Sequence, residues 1–358
     1  MNTKRRTPGC WHSRGVRSAA FIAAAALIVS ACGGDADADA DNGVDEDTAE
    51  TDADAEADGA AAGESGAFPL STTNCGHEME FDAPPERVLL LHTAPVQSLQ
   101  RLGVLDRVVA RAGLFPDEYF DEETQAMIDQ VPSLVDQIDP DGHFELSNEA
   151  VVAEEPDLVM GENDGLTRES LSELGINQLL VPSQCPGATD SPDFDDVYEL
   201  VEFYGMIFDR ADEADVYVEE LQERLDEITA DIADEDRTAA ALWPTIGGGT
   251  GFAYGNVSMT HTQLTAAGFT DVFEDIDERV FEVTLEEVID RDPDVLLLLY
   301  SEGTPEQVED AIRSLPGADG ISAVQNDAIM TQLYNFSDPP TPLTIEGLER
   351  IVDFFSEP

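Results

Sequence analysis

From residue 87 onward, short apolar runs alternate with segments whose apolar residues recur at helical spacing, and this predicts an α/β fold. The runs at 87–91, 108–112, 156–160 and 178–181 read as strands, with a helix at 96–102 after the first. A second set repeats the plan, with strands at 238–243, 295–300 and 328–332 and a helix at 260–267. Two similar lobes are expected. Between them, 211–234 carries Val216, Leu221, Leu225, Ile228 and Ile232, which predicts one connecting helix of roughly 36 Å. The sustained heptads of a coiled coil are missing from it.

The duplication sharpens at one pair of segments. Residues 146–157 (LSNEAVVAEEPD) align without a gap on 283–294 (VTLEEVIDRDPD). Ser147 and Thr284 are placed as helix N-caps, Glu149 and Glu286 fall in the first turn, and each Pro-Asp pair ends a helix before an apolar strand.

The first 70 residues follow other rules. Lys4, Arg5, Arg6, Arg14 and Arg17 precede an apolar run at 19–29 and the small residues Ser30 and Ala31, which is the pattern of a secretory signal peptide. Val29-Ser30-Ala31-Cys32 resembles a bacterial lipobox, which implies lipid on Cys32. The stretch after it is rich in Asp and Ala and has no large apolar residue before Phe68 except Val44, so it reads as an extended, self-repelling tether. The organisation expected is therefore signal peptide 1–31, lipidated cysteine and acidic linker 32–70, N-terminal lobe 71–210, interlobe helix 211–235 and C-terminal lobe 236–358. Of the four cysteines, Cys75 and Cys185 remain for the folded part, and outside the cytoplasm such a pair suggests a disulfide.

Charge narrows the partners. Against 77 acidic residues stand 17 basic ones, a formal net charge of -60, and Lys4 is the only lysine. Nucleic acid and anionic headgroups would be repelled, so contact with a membrane is expected through the N-terminal lipid alone. An acid-rich, lysine-poor surface suits solubility in strong salt.

The motif at 81–88 (FDAPPERV), the helix and Pro-Asp pattern in both lobes, Leu102-Gly103 and the segment 261–268 (HTQLTAAG) together resemble the substrate-binding lipoproteins of iron-siderophore, heme and cobalamin ABC importers. The resemblance covers roughly residues 75–355. It implies two Rossmann-like lobes joined by a single long α-helix, with a metal-chelate ligand (ferric siderophore first, heme or a corrinoid next) held in the cleft between them. It also implies that Glu149 and Glu286 pair with arginines of a permease dimer, and that the protein sits at the outer face of the cytoplasmic membrane. No enzyme activity and no cofactor are implied.

Cleft residues of α/β lobes follow the carboxyl ends of strands. That rule selects His92-Thr93, Arg111 and residues 162–164 in the first lobe, and 243–254 with 334–336 in the second; Arg168 joins them because basic residues are rare in this chain. Trp243, Phe252, Tyr254, Tyr334 and Phe336 are candidates to stack on a chelate, and Arg111 and Arg168 to hold an anionic one. The glycine-rich 245–251 lacks a phosphate-loop ending and reads as a flexible loop. Two alternatives stay open: direct zinc or manganese binding by His92, His143 and His261, and a non-transport surface interaction protein. A hydrolase is disfavoured because Gly-x-Ser-x-Gly is missing.

Overall fold

The computed structural model describes residues 68–135, 144–163, 165–188, 191–230, 232, 236–247 and 251–356. The expected signal peptide, Cys32, nearly all of the linker, His143, part of the glycine-rich loop and the end of the expected interlobe helix lie outside these residues. A hairpin of β1 (Leu70–Asn74) and β2 (His77–Phe81) precedes the first lobe. The lobe then runs β3 (Val88–Leu90), α1 (Val96–Arg101), β4 (Val108–Arg111), α2 (Glu122–Ile128), α3 (Asn148–Ala153), β5 (Leu158–Met160), α4 (Arg168–Glu173) and β6 (Asn177–Leu179). Its four strands are parallel in the order β4-β3-β5-β6.

Two helices follow, α5 (Phe194–Phe208) and α6 (Ala211–Thr229). The second lobe comprises β7 (Thr238–Trp243), β8 (Gly251–Tyr254), α7 (Met259–Ala266), β9 (Thr270–Asp271), β10 (Val280–Val283), α8 (Leu285–Arg291), β11 (Val295–Tyr300), α9 (Pro305–Arg313), α10 (Ser322–Gln325), β12 (Ile329–Leu333) and α11 (Pro342–Ser356). Its sheet is mixed: β7, β11 and β12 are parallel, whereas β8 runs antiparallel to both β7 and β10. The lobes are therefore related but not equal, and β8 occupies part of what the sequence suggested was a cleft loop at 243–254.

Both parallel cores explain the unbroken apolar runs. In β11, Val295, Leu297 and Leu299 enter one hydrophobic cluster while Leu296 and Leu298 enter the opposite one. A strand covered on both faces has no polar side to show. The Pro-Asp pairs have a second use. The Asp157 carboxylate accepts hydrogen bonds from the backbone N–H groups of Glu86 (2.8 Å) and Arg87 (3.0 Å), just before β3. Asp294 does the same for Thr238 at the start of β7, at 2.9 Å. The internal repeat thus extends to the bonds that set where the first strand of each lobe begins.

The connecting helix α6 has 19 residues, about 28 Å at the usual rise. Ala214, Tyr217, Val218 and Leu221 bury one stripe against the first lobe, with Leu225 and Ile228 continuing it. Val216, expected on that stripe, is 55 % exposed. At 100° per residue it lies too far from positions 214, 217 and 221 to share their face. Arg224 on α6 donates to Glu349 on α11 at 3.1 Å, tying the helix to the second lobe.

The lobes meet where the carboxyl ends of their strands face each other. Tyr119, in the loop after β4, packs its ring 4.9 Å from Phe336, in the turn after β12, and Leu333 and Leu343 complete the cluster. The backbone N–H of Asn335 donates to the Tyr119 hydroxyl at 2.9 Å. That turn presses on α11: a Cβ on Gly347 would lie 1.7 Å from the Phe336 carbonyl oxygen. Gly347→Ala must therefore push the turn away, and a loss of about 1–3 kcal/mol in urea unfolding is expected. An unchanged midpoint would show that the turn yields freely.

Candidate ligand-binding site

The second lobe offers the denser cluster at this meeting line. Trp243 ends β7, and its ring lies 5.5 Å from that of Tyr334, the first residue after β12. The Arg279 guanidinium, just before β10, donates from Nη1 to the Tyr334 hydroxyl and to Asp338 Oδ1, each at 3.1 Å, and Tyr334 donates to the same Asp338 oxygen at 3.1 Å. The Asp338 side chain is 1 % exposed and that of Arg279 38 %. Burial pushes the Asp338 carboxyl up, and Arg279 and the Tyr334 hydroxyl pull it back. An acid that accepts from both a guanidinium and a phenol is held as a carboxylate. Burial and the neighbouring Asp338 raise the Tyr334 phenol, which stays neutral. The result is a partly exposed cation flanked by aromatic rings, able to donate to ligand oxygens and to cover an apolar ligand face.

In the first lobe, His92 follows β3 and packs on Gly161, which follows β5 and has φ +112. A Cβ at Gly161 would lie 2.5 Å from the His92 ring, so the glycine makes room for it. Burial lowers the imidazole to about 4, so it is neutral at ordinary pH. Its Nδ1 meets no hydrogen-bond partner among the described residues.

The other sequence candidates are placed elsewhere. Arg111 donates to the Val131 carbonyl and stacks over Phe115, clasping its own lobe. Arg168 donates to the Gln178 carbonyl and to Asn74, at the wall of a 650 Å³ concavity that also includes Glu162 and Cys75. Phe252 is exposed and, with Trp243, lines a 390 Å³ apolar pocket whose boundary includes Glu286. Tyr254, 3 % exposed, belongs to the core of the second lobe, and Phe336, 1 % exposed, to the seam between lobes. Neither presents a face to a ligand in this conformation: their positions beside strand ends suggested access, and packing removes it. The structure joins Cys75 to Cys185 in a disulfide that fastens the hairpin turn to the segment after β6. Ser147 and Thr284 cap α3 and α8 through their hydroxyls, leaving Glu149 and Glu286 exposed in the first turns.

Arg279 and Asp338 were not singled out from the sequence. Arg279 precedes an edge strand that the apolar pattern did not reveal, and its partners lie 55 and 59 residues away. The available signal was rarity, since few cations occur after residue 17.

Two α/β lobes on one helix, with polar and aromatic groups at the facing strand ends, define a ligand-binding fold of the two-lobed type. A family model described as periplasmic binding protein matches residues 88–332. The crystal structure of an ABC-type Fe3+-hydroxamate transport system from Saccharomonospora viridis is 53 % identical over 81 % of this chain and 99 % of that one, with a TM-score of 0.77. Two Vibrio cholerae proteins share the fold alone. Its periplasmic heme-binding protein is 16 % identical (TM-score 0.60, covering 76 % of this chain and 99 % of that one). Its periplasmic vitamin B12-binding protein is 18 % identical (TM-score 0.54, covering 76 % and 97 %). No curated protein matches. The chain belongs to the periplasmic binding protein family, in the class that serves ABC importers.

Proposed function

We propose that this protein captures a ferric chelate of the hydroxamate type between its lobes, against Trp243, Tyr334 and Arg279, and passes it to an ABC permease. The observation that carries the reading is the 53 % identity, over nearly the whole of that chain, to a protein described by Fe3+-hydroxamate transport. The exposed arginine donors and flanking rings suit hydroxamate oxygens on a largely apolar chelate. Lipid on Cys32 would hold the protein at the outer face of the cytoplasmic membrane, with the acidic linker as tether.

The tryptophans are Trp11 and Trp243, so an exported protein that has lost residues 1–31 carries Trp243 alone. Titration with ferrioxamine is expected to quench its emission saturably and to raise the unfolding midpoint, by about 2.7 kcal/mol of added stability at a hundredfold excess over Kd. Quenching by heme or a corrinoid but not by ferrioxamine would move the cargo to that class.

Glu149 and Glu286 are proposed to meet arginines of the permease, one per lobe. The double variant Glu149→Ala/Glu286→Ala is expected to leave ferrioxamine affinity unchanged and to lower uptake into cells at least tenfold, because a charge-assisted pair is lost at each contact, about 1.5 kcal/mol each. Normal uptake by that variant would discard the docking role.

Direct metal binding gains nothing from the geometry. Among the described residues, no group of three His, Cys, Asp or Glu side chains is placed to hold an ion, and His261 Nδ1 lies 2.8 Å from Asp271. Nor does any observation here favour a surface interaction role outside transport.

A further inference from the structure

The cations of this chain are few enough to follow one by one. Five of the 17 stand at or before Arg17, and the other twelve are arginines from Arg87 to Arg350, all among the described residues. Six of the twelve lie within ion-pair distance of carboxylates away from the Trp243 cluster. Arg87, Arg107, Arg111, Arg168 and Arg237 are engaged by backbone carbonyls. Arg279 remains as the cation bonded to Tyr334, whose ring meets Trp243, and its charge is already matched. Asp338 is 3.1 Å away and 1 % exposed, and its Tyr334 bond keeps it from turning aside.

In the first lobe, Arg111 is turned onto the Val131 carbonyl and the Phe115 ring. His92 is a neutral imidazole, and Arg168 shares its concavity with Glu162. A ligand settling against Trp243 and Tyr334 therefore meets hydrogen-bond donors, aromatic faces and a cation already compensated by Asp338, inside a chain of formal charge -60. Burying a multiply charged anion there has no counter-charge to offset its lost hydration. A chelate whose charges cancel internally pays no such penalty. Ferric iron with three singly ionised hydroxamates is neutral, whereas with three doubly ionised catecholates it is trianionic.

We infer that the site is charge-compensated, accepting ferric chelates of zero or positive net charge and excluding trianionic tris-catecholates, with Asp338 as the specificity-determining residue. This rests on the ferric-chelate reading above. Asp338 acts by cancelling Arg279 rather than by touching the chelate. Removing its charge leaves a guanidinium that is over one-third exposed and can be solvated, so Asp338→Asn keeps a folded protein.

The test uses the membrane-extracted protein in detergent, titrated with ferrioxamine E (neutral) and ferric enterobactin (trianionic) while Trp243 emission is followed. The neutral chelate is expected to bind at least about a hundredfold tighter. Asp338→Asn should narrow that ratio by about tenfold or more, and Arg279→Gln, which leaves the carboxylate uncompensated, should widen it. Opposite signs in the two variants cannot arise from general loosening of the fold. Equal affinity for the two chelates, or a ratio that ignores both substitutions, overturns the charge filter while leaving the cargo class intact. Failure of every ferric chelate to bind overturns the cargo reading and the filter with it.

Discussion

Opening the Cys75–Cys185 disulfide, by reduction or by the double serine variant, is expected to lower the unfolding free energy by about 4–5 kcal/mol. The two cysteines are 110 residues apart, so the bridge removes a large loop-closure entropy from the unfolded chain. In the folded state the same contact has other support. Asn74 donates from Nδ2 to the Leu180 carbonyl and accepts from the Leu180 N–H, each at 2.9 Å, and Asn177 donates to the Glu80 carbonyl at 2.9 Å. The hairpin should thus stay docked without the bridge, and the loss should appear mainly as easier global unfolding. Guanidinium unfolding with and without reductant checks this, since an unchanged midpoint would mean the unfolded chain gains nothing from the opened loop.

The second large effect belongs to Arg279. Arg279→Met leaves Asp338 buried without its cation, and breaking a buried pair in this way costs about 3–5 kcal/mol. The lower end is expected, because Arg279 is itself 38 % exposed and water already screens it. The loss depends on pH with a definite sign. Burial raises the Asp338 carboxyl in the folded protein, and removing Arg279 raises it further. The folded variant then holds its proton more tightly than the unfolded chain does. Its stability is greatest below the ordinary carboxylate range and falls as pH rises through the raised folded value. Unfolding measured at neutral pH and again near pH 4 should show the variant's deficit shrinking on acidification. A deficit that stays constant or grows would mean that Asp338 is not the group left exposed by the substitution.

The sequence revealed the architecture where side chains repeat along it. The runs of β7 and β11 were found residue for residue, and 146–157 against 283–294 disclosed both capped helices and their exposed glutamates. What stayed hidden depends on pairing across the chain. β8 and β10 are four-residue antiparallel strands of the second lobe, too short for alternation to mark them, so Tyr254 looked like loop when it is core. Phe336 lies just beyond the end of β12 and Trp243 at the end of β7, yet the first faces the other lobe and the second faces Tyr334. Position after a strand names the neighbourhood of a site. Which side chains stay reachable there is settled by the second lobe's packing and by Tyr119 from the first.

The turn after β12 alternates its duties. Tyr334 and Asp338 hold Arg279 within the second lobe, while Asn335 and Phe336, lying between them in sequence, grip Tyr119 of the first. One short turn therefore belongs at once to the wall proposed to receive the ligand and to the contact between the lobes. On the proposed reading, a chelate that shifts Tyr334 would also strain the latch one residue away, and so would alter the distance between Glu149 and Glu286 without any change in the helix that joins the lobes.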